Sequence, residues 1–185
     1  MLTKNNIHDH SNRFNNENPL IYTVKNLCRV CYTCVRECPV KAIKIINGQA
    51  EVIQERCIAC GNCVSVCSQG AKTYHKSSEG VRNLILSKSV TIACVAPSFP
   101  AEFSEYSDYL MVVGMLRELG FDFVTEISFG ADLVANAYKN IFDDSDTMSV
   151  ITSDCPAIVN YIEKYHPDLV SFLAPVITPA MASAK

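Results

Sequence analysis

The sequence predicts two units of different class: an α+β module built on two cysteine runs, then part of an α/β domain with a parallel sheet. Three observations carry that expectation. The run Cys28-x2-Cys31-x2-Cys34-x3-Cys38 recurs 29 residues later as Cys57-x2-Cys60-x2-Cys63-x3-Cys67. Asn47-Gly48 stands between two β-rich segments. From Ser89 onward, strand-like and helix-like segments alternate, the pattern of a parallel sheet with right-handed crossovers.

In chain order, residues 1–19 are rich in Asn, Asp and His without apolar periodicity and read as a flexible tail. The His8-Asp9-His10 triplet accordingly reads as solvated. Leu20 to Val24 alternates as an opening strand, and the first cysteine run follows it. Ala42 to Ile53 reads as a hairpin turning at Asn47-Gly48, and the second run follows. Ala71 to His75 is the closing strand, expected to pair with the opening one. Residues 20–76 thus form a ferredoxin-like two-cluster module whose own core is too small to fold without metal. Residues 77–88 read as a linker, helical in part around Leu84-Ile85-Leu86.

The second unit spans residues 89–185. Val90 to Ala96 is a nearly continuous apolar run, expected as a strand buried on both faces, with Cys94 packed in its core. Ser104 to Leu119 has helical spacing and a stop at Gly120. Phe121 to Ile127 reads as a strand, Ala131 to Phe142 as a helix, Met148 to Thr152 as a third strand and Cys155 to Tyr165 as a third helix. Leu169 to Ala184 is uncharged for 16 residues but holds Pro175 and Pro179, too short and too broken for a membrane span. It reads as an interior helix lacking its partner.

The cysteine spacing specifies cubane iron-sulfur clusters. Three thiolates at x2 intervals lie on one tight loop, and the fourth corner comes from the other run, as in two-cluster bacterial proteins. One [4Fe–4S] cluster is therefore assigned to Cys28, Cys31, Cys34 and Cys67, the other to Cys38, Cys57, Cys60 and Cys63. Zinc sites pair C-x2-C units across a longer loop and fit poorly. A disulfide framework lacks the signal peptide it would need. The first run ends in Cys38-Pro39 and the second in Cys67-Ser68, so an extra amide donor is expected to separate the two potentials slightly. Cys155 lies at a strand-to-helix turn where helix amides favour a thiolate. His75, His166 and Tyr32 read as structural.

A net charge of −3 without any basic stripe argues against nucleic acid. Oxygen-sensitive clusters suit a reducing, cytoplasmic setting, anaerobic in character.

The second half resembles a known family. Val95-Ala96-Pro97, Leu119-Gly120-Phe121-Asp122, Phe129-Gly130-Ala131-Asp132-Leu133 and Thr152-Ser153-Asp154-Cys155-Pro156, in that order, look like the start of the catalytic domain of [FeFe] hydrogenases. A two-cluster ferredoxin module precedes that domain in the family. The resemblance implies that Cys155 matches one of four cysteines that hold the H-cluster, a cube joined to a diiron unit. The family motif reads T-S-C-C-P-x-W, so Asp154 occupies the proton-relay position and Ile158 replaces the Trp. The motifs carrying the other three ligands have no counterpart before Lys185. The chain is therefore expected to be a fragment rather than a natural truncation, and not a working hydrogenase by itself. A carboxylate with an ordinary pKa of about 3.9 replaces a thiol near 8.5, which puts turnover in a longer parent in question.

Three readings follow. The first is an electron relay between a redox partner (ferredoxin, flavodoxin or a flavoprotein subunit) and a hydrogenase-type centre. The second is a redox or hydrogen sensor with a hydrogenase-like domain. The third is a free-standing ferredoxin-like carrier.

Overall fold

The structure is a computed structural model that describes residues 19–87, 89–102, 109–144 and 149–185. The tail with its histidine triplet lies outside the described residues, as do Ser104 to Asp108 of an expected helix and Met148 of the expected third strand. The chain divides into two compact units, residues 1–76 and 77–185. Residues 77–88, expected as a linker, group with the second.

The first unit contains β1 (Ile21–Thr23), α1 (Thr33–Glu37), β2 (Ile43–Ile46), β3 (Gln49–Val52), α2 (Asn62–Ser65) and β4 (Lys72–Tyr74). β1 pairs antiparallel with β4, Ile21 facing Tyr74, and β2 with β3, Ile43 facing Val52. The hairpin turn puts Asn47 at φ 48° and Gly48 at φ 72°, both in the left-handed region that a tight two-residue connection requires. The sequence repeat is also a structural one. An offset of 29 residues carries the start of α1 onto that of α2 and β2 onto β4. It also carries the left-handed residues Val30, Tyr32 and Lys41 onto Ala59, Gly61 and Gly70. Asn62 Nδ2 donates to Glu37 O at 2.7 Å, stitching the packed helices together. The core comprises Ile21, Val40, Ala42, Ile43, Ala50, Ile58 and Ala71, with Cys34, Cys38 and Cys63 interleaved.

The second unit runs α3 (Ser78–Leu86), β5 (Ile92–Val95), α4 (Phe99–Glu102), α5 (Tyr109–Glu118), β6 (Phe123–Glu126), α6 (Ile127–Asp144), α7 (Pro156–Tyr165) and α8 (Pro179–Ser183). β5 and β6 are parallel, Ile92 facing Phe123. Asp122 fixes their register at one end: its Oδ2 accepts from Thr91 N at 2.7 Å and Thr91 Oγ1 at 3.0 Å. α6 follows β6 directly and starts at Ile127, four residues earlier than the periodicity predicts.

Three expectations are corrected. Met148 to Thr152 is not a strand in its described residues. Ile151 makes a single parallel bridge to Leu173, and the next residues on that side include Pro175, which has no N–H to extend a ladder. Cys94 is exposed rather than packed in a core. β5 alternates, with Ala93 buried and Ile92 57% exposed, because the described elements cover one face of the two-stranded sheet. Leu169 to Ala184 is not one interior helix: a 3-10 turn (Pro167–Phe172) precedes the bridge, and α8 is a short segment started by Pro179. α8 packs on α6 through Gly130, where a Cβ would lie 2.2 Å from Pro179 O and 2.3 Å from Ser183 Oγ. Among the described residues no helix is long and apolar enough to cross a membrane.

Candidate metal centre

The eight cysteines of the two runs sit on paired loops whose backbone a side chain alone would not choose. Val30 at φ 53° and Ala59 at φ 58° are left-handed without being glycine, an uncommon conformation and an outlier for a β-branched residue. Each turns its loop just ahead of a short helix. Tyr32 and Gly61 then enter α1 and α2, also left-handed, and the helices bury Cys34 and Cys63 on their inner sides. All eight thiols are free.

A pocket in the first unit is lined by Cys28, Cys31 and Cys34 of one run together with Cys67 of the other, and by Thr23, Ala50 and Lys72. Tyr32, half exposed, stands at its edge. The electrostatic neighbours have the same composition. Burial pushes the Cys34 thiol up, Lys72 opposes that, and Cys67, Cys28 and Cys31 add to it. Burial pushes Cys63 up to about 11, again opposed by Lys72, with Cys57, Cys34 and Cys38 contributing. A bound metal would stabilise the thiolate and displace the thiol proton to solvent, so these thiols would ionise as they bind. At Cys67 burial is outweighed by the amides of Lys72, Gln69 and Ala71, which hold it below the ordinary thiol range. Cys31, exposed, is lowered first by the Thr33 hydroxyl, 3.4 Å from its sulfur.

Backbone amides also reach other sulfurs: Ala42 N donates to Cys38 Sγ at 3.2 Å and Ala59 N to Cys57 Sγ at 3.4 Å. Among the described residues no three His, Cys, Asp or Glu side chains close to the spacing of a single metal ion. A cube spreads its ligands over four separate iron corners and needs no such closure. Free thiols, amides aimed at sulfur and an apolar surround fit [4Fe–4S] clusters.

Two contributors were missed from sequence. Lys72 is only 3% exposed, and its ammonium donates to Thr23 Oγ1 and, at 2.7 Å, to Ala50 O. Thr23 Oγ1 itself donates to Ala50 O. Aligning the chain with itself at the 29-residue offset would have exposed it, since Lys72 falls on the buried Ile43. The other is Tyr138, in the second unit. Its hydroxyl donates to Asp154 Oδ1 at 3.1 Å and accepts from Ser153 N at 2.9 Å. Ser153 Oγ donates to Ala174 O at 2.7 Å, so the turn ahead of α7 is held from both sides. Cys155 is the exposed N-cap of α7, its carbonyl accepting from Ile158 N and Val159 N at 3.0 and 3.2 Å.

Comparison with known proteins finds two family matches in this chain. The profile of the iron only hydrogenase large subunit, C-terminal domain, matches residues 89–185, and that of a 4Fe-4S dicluster domain matches residues 20–68. The chain is 34% identical over 131 residues to the NADP-reducing hydrogenase subunit HndD of Solidesulfovibrio fructosivorans, covering 61% of this chain and 22% of that one. It is 46% identical over 52 residues to a subunit of the ion-translocating oxidoreductase complex of Methanosarcina acetivorans, 26% of this chain and 20% of that one. It is also 23% identical over 141 residues to the cytosolic Fe-S cluster assembly factor NAR1 of Candida dubliniensis, covering 70% and 24%. The chain spans about a quarter or less of the length of each.

Proposed function

The chain belongs to the iron-only hydrogenase large-subunit family, and from that premise we propose that it is an electron relay of that family, carrying two [4Fe–4S] clusters in residues 20–76. Cys28, Cys31, Cys34 and Cys67 would hold one cluster and Cys38, Cys57, Cys60 and Cys63 the other. When bound, each cluster supplies one-electron transfer with little change of geometry. The residues do the rest. Buried Cys34 and Cys63 anchor the interior corners, amides at positions 42, 59, 69, 71 and 72 donate to sulfur, and the apolar core limits water. Crossing the runs folds the two centres as one body, so an electron entering at one finds the other close by. The relay would operate in the cytoplasm, between a redox protein such as a ferredoxin, flavodoxin or flavoprotein subunit and a centre in the hydrogenase-type domain.

The observation that carries this reading is the pocket that gathers Cys28, Cys31 and Cys34 with Cys67. Its test is anaerobic reconstitution, with iron and acid-labile sulfide analysis and EPR of the dithionite-reduced chain. About eight irons are expected with the broadened signal of two interacting cubes. Cys34→Ser and Cys67→Ser should impair the same cube, and Cys38→Ser its neighbour. If Cys38→Ser and Cys34→Ser impair the same cube, the crossed ligation is wrong.

A second, regulatory reading is favoured by Asp154. It stands where the resemblance places the family's proton-relay cysteine, and its Oδ1 accepts from the Tyr138 hydroxyl. Cys155 alone does not hold an H-cluster, so hydrogen turnover is not proposed for these residues by themselves.

A further inference from the structure

We propose that Lys72 is a buried counter-charge that makes the two centres unequal, holding the one bounded by Cys28, Cys31, Cys34 and Cys67 at the higher reduction potential. This deepens the two-cluster reading and rests on it.

The inference begins from the internal symmetry. Backbone conformation repeats at an offset of 29 residues through both loops, including the left-handed pairs 30/59, 32/61 and 41/70. Amide donation to the closing cysteine repeats as well, Ala42 N to Cys38 and Ala71 N to Cys67. Those features act alike on the two halves and cancel in a comparison. Among the positions that do not cancel, the one buried in both halves with a charge in only one is the first residue of β2 and β4, where one half has Ile43, 5% exposed, and the other Lys72, 3% exposed.

The lysine is not snorkelling to water. Its ammonium is fastened to Thr23 Oγ1 and Ala50 O and lines the pocket with Cys28, Cys31, Cys34 and Cys67. Burial holds the Lys72 ammonium below the ordinary lysine range, and the charges of Cys34, Cys63, Cys28 and Cys67 offset only part of that. Three of those four sulfurs belong to one proposed ligand set and one, Cys63, to the other. Reduction of a cube adds one negative charge. A fixed cation in a poorly screened interior stabilises the reduced form, and more strongly for the nearer cube. The electron should therefore settle first at the centre over Lys72.

The test is a potentiometric titration of the full reconstituted chain, followed by EPR, for the wild type, Lys72→Met and Lys72→Arg, with iron content measured on each. Two resolved steps are expected in the wild type. In Lys72→Met the upper step should fall further than the lower one, narrowing the gap, while Lys72→Arg keeps the wild-type separation. Wild-type separation in Lys72→Met at full iron content overturns the proposal, as does Lys72→Arg behaving like Lys72→Met. A wild-type chain with fewer than two cubes instead sinks the two-cluster reading itself. If Lys72→Met takes up no iron, Lys72→Gln decides by the same criterion. If neither neutral variant holds both cubes while Lys72→Arg does, the lysine is an assembly element and the potential-setting role is overturned.

Discussion

Residues 19–76 interleave a buried apolar set with Cys34, Cys38 and Cys63, whereas the only apolar side chains that the described residues of 77–185 bury are Ala93, Val134, Ile162 and Ala174, with Leu86, Val90, Leu119 and Phe129 more than 60% exposed. The shorter unit thus has the denser interior. The difference lies in what dictates the backbone. In the first, the cysteine-bearing loops bend into left-handed conformations that Val30 and Tyr32 do not prefer. In the second, helices and strands follow their own periodicity and meet at a few contacts such as Gly130 against α8.

The largest effect should come from removing metal. Chelation under anaerobic conditions is expected to abolish amide protection across β1 to β4, while α6 and α7 keep theirs, because a core of this size owes its folding to its ligands. Hydrogen exchange read by mass spectrometry would show it, and equal loss in both units would erase the contrast. Next is Gly130→Ala, which forces a methyl group onto Pro179 O and Ser183 Oγ. Overpacking of this kind costs roughly 1–3 kcal/mol, so the thermal transition of the second unit should drop and that of the first stay in place.

A smaller effect is tied to pH. The Thr91 amide, then its hydroxyl, hold the Asp122 carboxyl below the usual carboxylate range. A depressed folded value means that the link between β5 and β6 is fully present above the unfolded value, about pH 3.9, and is lost as pH falls through the folded one. The protection factor of the Thr91 amide, its exchange measured against the intrinsic rate at each pH, should fall over that acid window and stay flat there in Asp122→Asn. The smallest expected change is Ser68→Pro. The donors that reach Cys67 Sγ include the amides of residues 69, 71 and 72, so the midpoints should move less than in Lys72→Met. A larger movement would restore the Ser68 amide as the source of asymmetry.

Local signals were legible in the sequence. The spacing of the cysteines and Asn47-Gly48 each specify a short stretch of backbone, and the strands flanking them follow. Cys155 at the mouth of α7 was legible for the same reason, with Pro156 behind it. What depended on distant partners was not. An apolar run such as Val90 to Ala96 says that something covers it but not which face, so Cys94 was misplaced. Met148 to Thr152 has strand composition, yet its neighbour's Pro175 prevents a ladder. A lysine in a three-residue strand reads as solvent-facing until Thr23, 49 residues earlier, is seen to hold it. Tyr138 likewise gains its role only once α6 lies beside residues 153 and 154.

A chain leaves the ribosome from its N-terminus, and the pocket that joins Cys28, Cys31 and Cys34 to Cys67 turns that order around. The first three sulfurs emerge early but wait for their fourth wall until residue 67 is out. Cys57, Cys60 and Cys63 emerge later, with Cys38 already in place. On the proposed crossed ligation, the centre that begins first in the gene is the last to gain its fourth ligand, and through that interval its three thiols stand open to whatever delivers, or steals, iron.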